Sequence, residues 1–193
     1  MSSLKERIDL LESDLMAVPL RINVYHDLPF AIVRYDPTEE WDLRREVKLL
    51  ATRLEAIGKE IQEVRMSELL WQAIDETEGL DEVIGLEQSR GYLAAQDQVT
   101  TYLTDRDWRP LAGLLAARLA QLNPSKNIVF LTRVAAMAPG IYHMSKLLDQ
   151  MQGKTSITTI MFYPGSIEGT TGLRFMNLKN RDTLGNYRVK IYG

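Results

Sequence analysis

The chain reads as a three-layer α/β sandwich. It predicts a mostly parallel central sheet of four to five strands built from two βαβ units, with an added N-terminal helix. Three observations support this. Two short runs, Phe30–Tyr35 and Asn127–Val134, are dense in branched and aromatic residues, as in strands buried on both faces. Stretches between such runs repeat apolar residues every three or four positions, the helical period. Strand and helix patterns alternate along the chain, which favours a parallel sheet with helices on its faces.

The elements follow in order. Residues 3–17 form an amphipathic helix with Leu4, Ile8, Leu11 and Leu15 on one face. Ser3 and Glu6 have capping-box spacing, and Pro19 stops the helix. This helix, residues 1–20, is expected to pack on a single α/β domain spanning 28–193. Pro29–Asp36 is the first strand. Thr38 is the expected cap of the next helix, where Leu43, Val47, Leu50, Leu54 and Ile57 share a face and Gly58 ends it. Glu60–Met66 is the second strand, which makes the first βαβ unit and implies an adjacent parallel pair. Ser67 is expected to cap a helix ending near Gly79. Helical pieces are expected at Glu82–Glu87 and Tyr92–Leu103. Asp107 is expected to cap a helix over Trp108–Leu122. The second βαβ unit is strand Asn127–Val134, helix Gly140–Gln152 and strand Ile157–Tyr163. A loop Pro164–Gly172, an apolar piece Leu173–Met176, a polar turn Asn177–Gly185 and a strand Tyr187–Tyr192 complete the chain.

Composition narrows the function. The chain has 193 residues, no cysteine and two histidines, His26 and His143, so thiol chemistry and Cys- or His-rich metal sites are excluded. Leu111–Leu122 is interrupted by Arg118 and falls short of a membrane span, and Met1–Met16 lacks a signal-peptide core. A cytoplasmic, non-membrane protein is expected. The net charge of -3 is unevenly spread. Residues 1–100 hold 11 Lys and Arg against 21 Asp and Glu, and residues 101–193 hold 12 against 5. The halves either pack together and partly neutralise each other, or form an acidic and a basic face for different partners.

Ligands of open α/β sheets bind at the carboxyl ends of strands. Asp36-Pro37-Thr38, Thr132-Arg133 and Pro164–Gly172 lie there. The last segment carries Gly165, Gly169 and Gly172 with hydroxyl residues, a composition suited to phosphate. It lacks the Lys and the spacing of a P-loop, so it reads better as a turn that shapes a surface. Asp36 resembles a magnesium-holding acid, but one carboxylate suits a capping role better. Arg44 and Arg45 have carboxylate neighbours to pair with. Arg174, Arg181 and Arg188, with Lys179 and Lys190 and interleaved aromatics, read as an anion or nucleic-acid patch or as ordinary solvated charge around a final hairpin. His143 lies near no nucleophile motif. No complete catalytic constellation emerges.

Several segments resemble the BrxB family, the small B component of BREX bacteriophage-defence systems. They are Ile160-Met161-Phe162-Tyr163-Pro164-Gly165, Gly169, Leu173-Arg174-Phe175 and Asn186-Tyr187-Arg188-Val189-Lys190-Ile191. Phe30–Pro37 with Leu43-Arg44-Arg45 and Leu54, Ser67–Trp71 and Asn127–Leu148 also fit. The resemblance covers most of residues 28–193. It implies a cytosolic bacterial protein that works beside a DNA methyltransferase, a large ATPase and the alkaline-phosphatase-like protein PglZ. It implies a non-catalytic assembly role with the PglZ-like protein as a direct partner, and no cofactor, metal, small-molecule ligand or catalytic residue. DNA would be reached through the complex. The matching positions Tyr163, Pro164, Gly165, Gly169, Arg174, Tyr187, Arg188, Asp36 and Arg44 become candidate interface or surface-loop residues. A nucleic-acid-binding accessory using the basic C-terminal half, or a degenerate nucleotide-binding domain, are the alternatives.

Overall fold

The computed structural model describes residues 2–22, 27–169, 172–178 and 187–193. Seven α-helices are seen among them: α1 (Leu4–Met16), α2 (Glu40–Glu55), α3 (Met66–Asp75), α4 (Leu80–Arg90), α5 (Tyr92–Thr104), α6 (Leu111–Leu119) and α7 (Met144–Met151). The strands are β1 (Phe30–Tyr35), β2 (Glu60–Arg65), β3 (Asn127–Thr132), β4 (Thr158–Glu168), β5 (Gly172–Phe175) and β6 (Lys190–Tyr192). The sheet order is β2-β3-β4-β1-β6, parallel throughout, with β5 antiparallel to β4.

Side-chain alternation divides the core in two. On one face Ala31, Val33, Ile128, Phe130, Ile160 and Phe162 meet the apolar stripes of α1 and α2. On the other Phe30, Ile32, Val129, Leu131 and Met161 meet α3, α5, α6 and α7. The expected three-layer α/β sandwich is therefore present, and α1 is part of it. Ser3 accepts from the Glu6 backbone N–H while the Glu6 carboxylate accepts from that of Ser3, so the capping box forms.

Several boundaries and one pairing differ from expectation. The first βαβ unit does not make an adjacent pair: β3 and β4 lie between β1 and β2. Local pattern specifies the crossover but not how many strands it spans. The second unit does place β3 beside β4. Asp36, not Thr38, caps the turn entering α2: its Oδ1 accepts from the Thr38 N–H at 2.9 Å, and Pro37–Glu39 form a 3-10 turn. Ile57 falls past the end of α2 and is exposed. Ser67 is the second residue of α3 and does not cap it. α6 starts at Leu111 and not at Trp108, because Pro110 holds the preceding position extended (φ -61°, ψ 138°). Trp108 instead packs edge-on against Tyr102, 5.4 Å between centroids. α7 starts at Met144 and not at Gly140: Gly140 has φ 119°, outside helical space, so His143 is the cap position.

The expected loop after the fourth strand pattern is strand as far as Glu168. β4 outruns its neighbour β1, whose register ends at Tyr35 opposite Pro164, and then pairs with β5. Gly165 permits this hairpin. Its φ is 152°, and a Cβ there would sit 2.0 Å from the Arg174 carbonyl oxygen. Thr170, Thr171 and the segment 179–186, which holds Lys179, Arg181 and most of the expected polar turn, lie outside the described residues.

Candidate functional site

The two helical layers are unequal, and the inequality makes the site. A packed helix occupies roughly 10 Å of sheet width and a strand about 4.8 Å, so a helix covers about two strands. α1 and α2 alone therefore fall short of spanning five strands. α1 packs on β1 and β6 and α2 lies toward β2, leaving the β2–β3 end partly bare. A groove of about 650 Å³ runs there, between α2 and the outer strands. Its apolar lining includes Leu43, Val47 and Ala51 from α2 and Ile61 and Phe130 from the strand floor. Its rim is charged. Glu63, Arg65, Thr132 and Arg133 close it at the carboxyl ends of β2 and β3, and Arg44, Arg45 and Lys48 line the α2 side.

The rim is internally braced. The Glu40 carboxylate accepts from Arg44 Nε at 2.8 Å and Arg133 Nη1 at 3.3 Å, and from the Tyr35 hydroxyl. Burial and that acceptor push the Tyr35 phenol well above its usual pKa. Thr132 Oγ1 donates to Glu63 at 2.7 Å, and Arg65 bridges Glu63 (3.2 Å) and Glu68 (3.1 Å). Burial disfavours the Glu63 carboxylate, but the Thr132 and Arg65 bonds outweigh it and hold its pKa below the usual range. Arg133 reaches the rim from a left-handed backbone position, φ 57°. Trp41 stands 76% exposed at the groove mouth, with the Arg44 guanidinium stacked 4.4 Å over its ring. An exposed tryptophan already ordered by a cation offers a large contact area with little entropy left to lose.

The candidate residues scatter. Arg44 lies in the groove. Asp36 is half-exposed; its Oδ2 is 3.5 Å from Asn177 Nδ2, and the Thr38 hydrogen bonds depress its pKa. This is the geometry of a cap. Tyr163, Pro164, Gly165 and Tyr187 are interior. The rings of Tyr163 and Tyr187 meet at 5.9 Å, so they support the fold from inside. Gly169 and Arg188 are exposed, and Arg174 pairs with Glu168. Lys190 pairs with Asp14 at 2.6 Å. The basic C-terminal stretch is thus partly neutralised. Nor do the halves of the chain form two faces. The acidic half supplies α1 and α2 to one layer and α3 and α5 to the other.

Thr132-Arg133 stood out in the sequence as a strand's carboxyl end, whereas Trp41 and Arg65 did not stand out. Trp41 sits one residue off the apolar stripe of α2, an available signal for an exposed aromatic. Arg65 and Arg133 are brought together only by the pairing of β2 with β3. No group of three or more His, Asp or Glu poised to hold a metal occurs among the described residues. No helix there is long and apolar enough to cross a membrane.

Comparison with curated proteins finds no match, and comparison with solved structures finds none. The family model described as BREX protein BrxB matches residues 62–191, which include β3 and all but the first two residues of β2, the α4–α5 pair and the β4–β5 hairpin. That match spans more than half of the chain, and the chain belongs to the BrxB family of BREX proteins.

Proposed function

We propose that the protein is a non-catalytic assembly component of a BREX anti-phage complex. In this reading it docks a partner protein through the groove beside α2, and the PglZ-like component is that partner. The observation that carries the reading is the unfinished helical layer. An apolar floor with a braced, charged rim and an exposed Trp41 matches the plan of a protein interface: an apolar centre, a polar surround and an aromatic anchor. The arginines of the groove are held in ion pairs with neighbouring carboxylates, which orders the rim as a binding surface.

The test is co-elution of the chain with the PglZ-like protein, followed by titration with Trp41→Ala and Arg44→Glu. A stable complex is expected, with each variant binding at least about tenfold more weakly, the penalty of losing an interface anchor. Separate elution of the two wild-type proteins at micromolar concentration overturns the pairing.

A nucleic-acid accessory role is the second reading. One observation favours it: Trp41 with its stacked Arg44, flanked by Arg45 and Lys48, resembles a base-stacking platform. It predicts a salt-sensitive gel shift with single-stranded probes. Absence of a shift at low salt, with probe and protein in the micromolar range, removes it.

A further inference from the structure

Helix α4 is anomalous. It has 11 residues and none is buried. Its main packing partner is α5, to which it is joined through Gly91, and half-buried Val83 reaches the core beside it, while Leu80 and Ile84 remain 42% and 41% exposed. Tyr92 and Leu93, at the start of α5, extend the exposed apolar surface. Isolated helices of this length are marginal in water, so a helix with so little packing gains from a partner surface. Its charge is one-sided. Between residues 75 and 97 there are seven Asp and Glu against a single cation, Arg90. Within that stretch Glu76 alone is in an ion pair, with Arg109 at 3.2 Å, among the described residues.

The groove beside α2 is the complement of this surface. It lacks a covering helix and has an apolar floor. Its lining carries five Lys and Arg against three Glu; the four arginines are held in ion pairs, Arg44 and Arg133 sharing Glu40, Arg65 with Glu63 and Arg45 with Asp42, so the lining keeps a positive excess of two that includes Lys48. α4 is about 16 Å long at ~1.5 Å per residue, shorter than the roughly 24 Å of α2 that flanks the groove. The two surfaces sit on opposite faces of the sheet: α2 is in one core layer, and α5, which carries α4, is in the other. One molecule therefore cannot satisfy itself.

We propose that the occupant of the groove, when no other protein fills it, is α4 of a second copy of this chain. Leu80 and Ile84 seat on the floor, and Asp81, Glu82 and Glu87 face the cationic rim. The contact is head-to-tail, so it propagates into a chain or closes into a ring. An α4-to-α4 pairing would set acidic surfaces against each other and is disfavoured. The inference rests on the groove being a docking site, as proposed above. It adds that self-association and partner docking compete for it.

The experiment uses the full chain. Sedimentation and light scattering across a concentration series should show mass rising with concentration, and rising less at high salt as rim charges are screened. Asp81→Lys with Ile84→Gln disables the helix surface; Arg45→Glu with Lys48→Glu disables the groove. All these positions are solvent-exposed, and circular dichroism checks the fold of each variant. Each variant alone should stay monomeric. Mixed, they should form a one-to-one heterodimer that grows no further, because one retains its groove and the other its helix. A wild-type chain that is monomeric throughout overturns the inference, as does a mixture that stays monomeric or a helix variant that associates like wild type. Binding to the PglZ-like protein is measured on the helix variant, whose groove is intact. Loss of partner binding with self-association preserved refutes only the partner. A monomeric wild type that still binds that partner refutes only the self-association.

Discussion

Arg34 occupies a strand position whose neighbours along β1 are Phe30, Ala31, Ile32, Val33 and Tyr35. The residue is 9% exposed, and its Nε is buried without a hydrogen-bond partner. Arg7 is buried beside it and donates to the Arg34 carbonyl oxygen. Burial and the Arg34 charge both lower the Arg7 pKa, and Glu39, 3.6 Å away, offsets part of this. A buried donor left unsatisfied costs about 1–3 kcal/mol. Arg34→Met is therefore expected to raise the urea midpoint, and a lower midpoint would show that the guanidinium stabilises the fold. Gly165→Ala should act the other way. It forces a Cβ against the Arg174 carbonyl at a positive φ, at a cost of about 1–3 kcal/mol read as a lower melting temperature. Gly165 stood out in the sequence, but its reason did not. A glycine before a turn suits a phosphate cradle and a crowded hairpin equally, and only the position of Arg174 separates them.

Among the elements, α1 is tied to β6 through one carboxylate. Asp14 is 6% exposed and accepts from Lys190 at 2.6 Å and from the Tyr192 hydroxyl at 2.7 Å. Burial opposes its charge, but the two hydrogen bonds and the Lys190 charge prevail and hold its pKa below the usual carboxylate range. The depressed value belongs to the folded state. The stability it confers is therefore complete above the ordinary Asp pKa of about 3.9 and is lost as pH falls through the folded value. Asp14→Asn should melt lower than wild type near neutrality, with the gap closing below about pH 4. A gap independent of pH would assign the effect to packing. At the other end of α1, Ser3→Ala removes the capping hydroxyl and should cost about 1 kcal/mol by denaturant unfolding. The capping box of α1 and the apolar stripes of α1 and α2 were legible because they are local in sequence. The starts of α6 and α7 were misplaced because Pro110 and Gly140 set backbone angles that apolar periodicity does not register.

For the whole molecule, the decisive feature is the unequal covering of the sheet. It leaves the groove on one face and α4 at the margin of the other core, which it reaches through half-buried Val83. Stability should be correspondingly uneven. Amide hydrogen exchange is expected to be fast in α4 and slow in β1, β3 and β4, whose residues are almost all buried; equal protection would show that α4 is packed more tightly than its exposed side chains imply. The sequence alone determined the α/β class, the apolar runs that become central strands and the N-terminal helix. Each of these is encoded within a few residues by periodicity, capping and burial of both strand faces. It also held enough of the family's motifs to reveal the BrxB resemblance. Strand order, the displacement of β2 from β1 and the continuation of β4 into a hairpin were decided only by tertiary structure. So was the meeting of Glu40, Arg65 and Arg133 around one groove. These depend on which surfaces, far apart in sequence, exclude water together, and no local pattern carries that information.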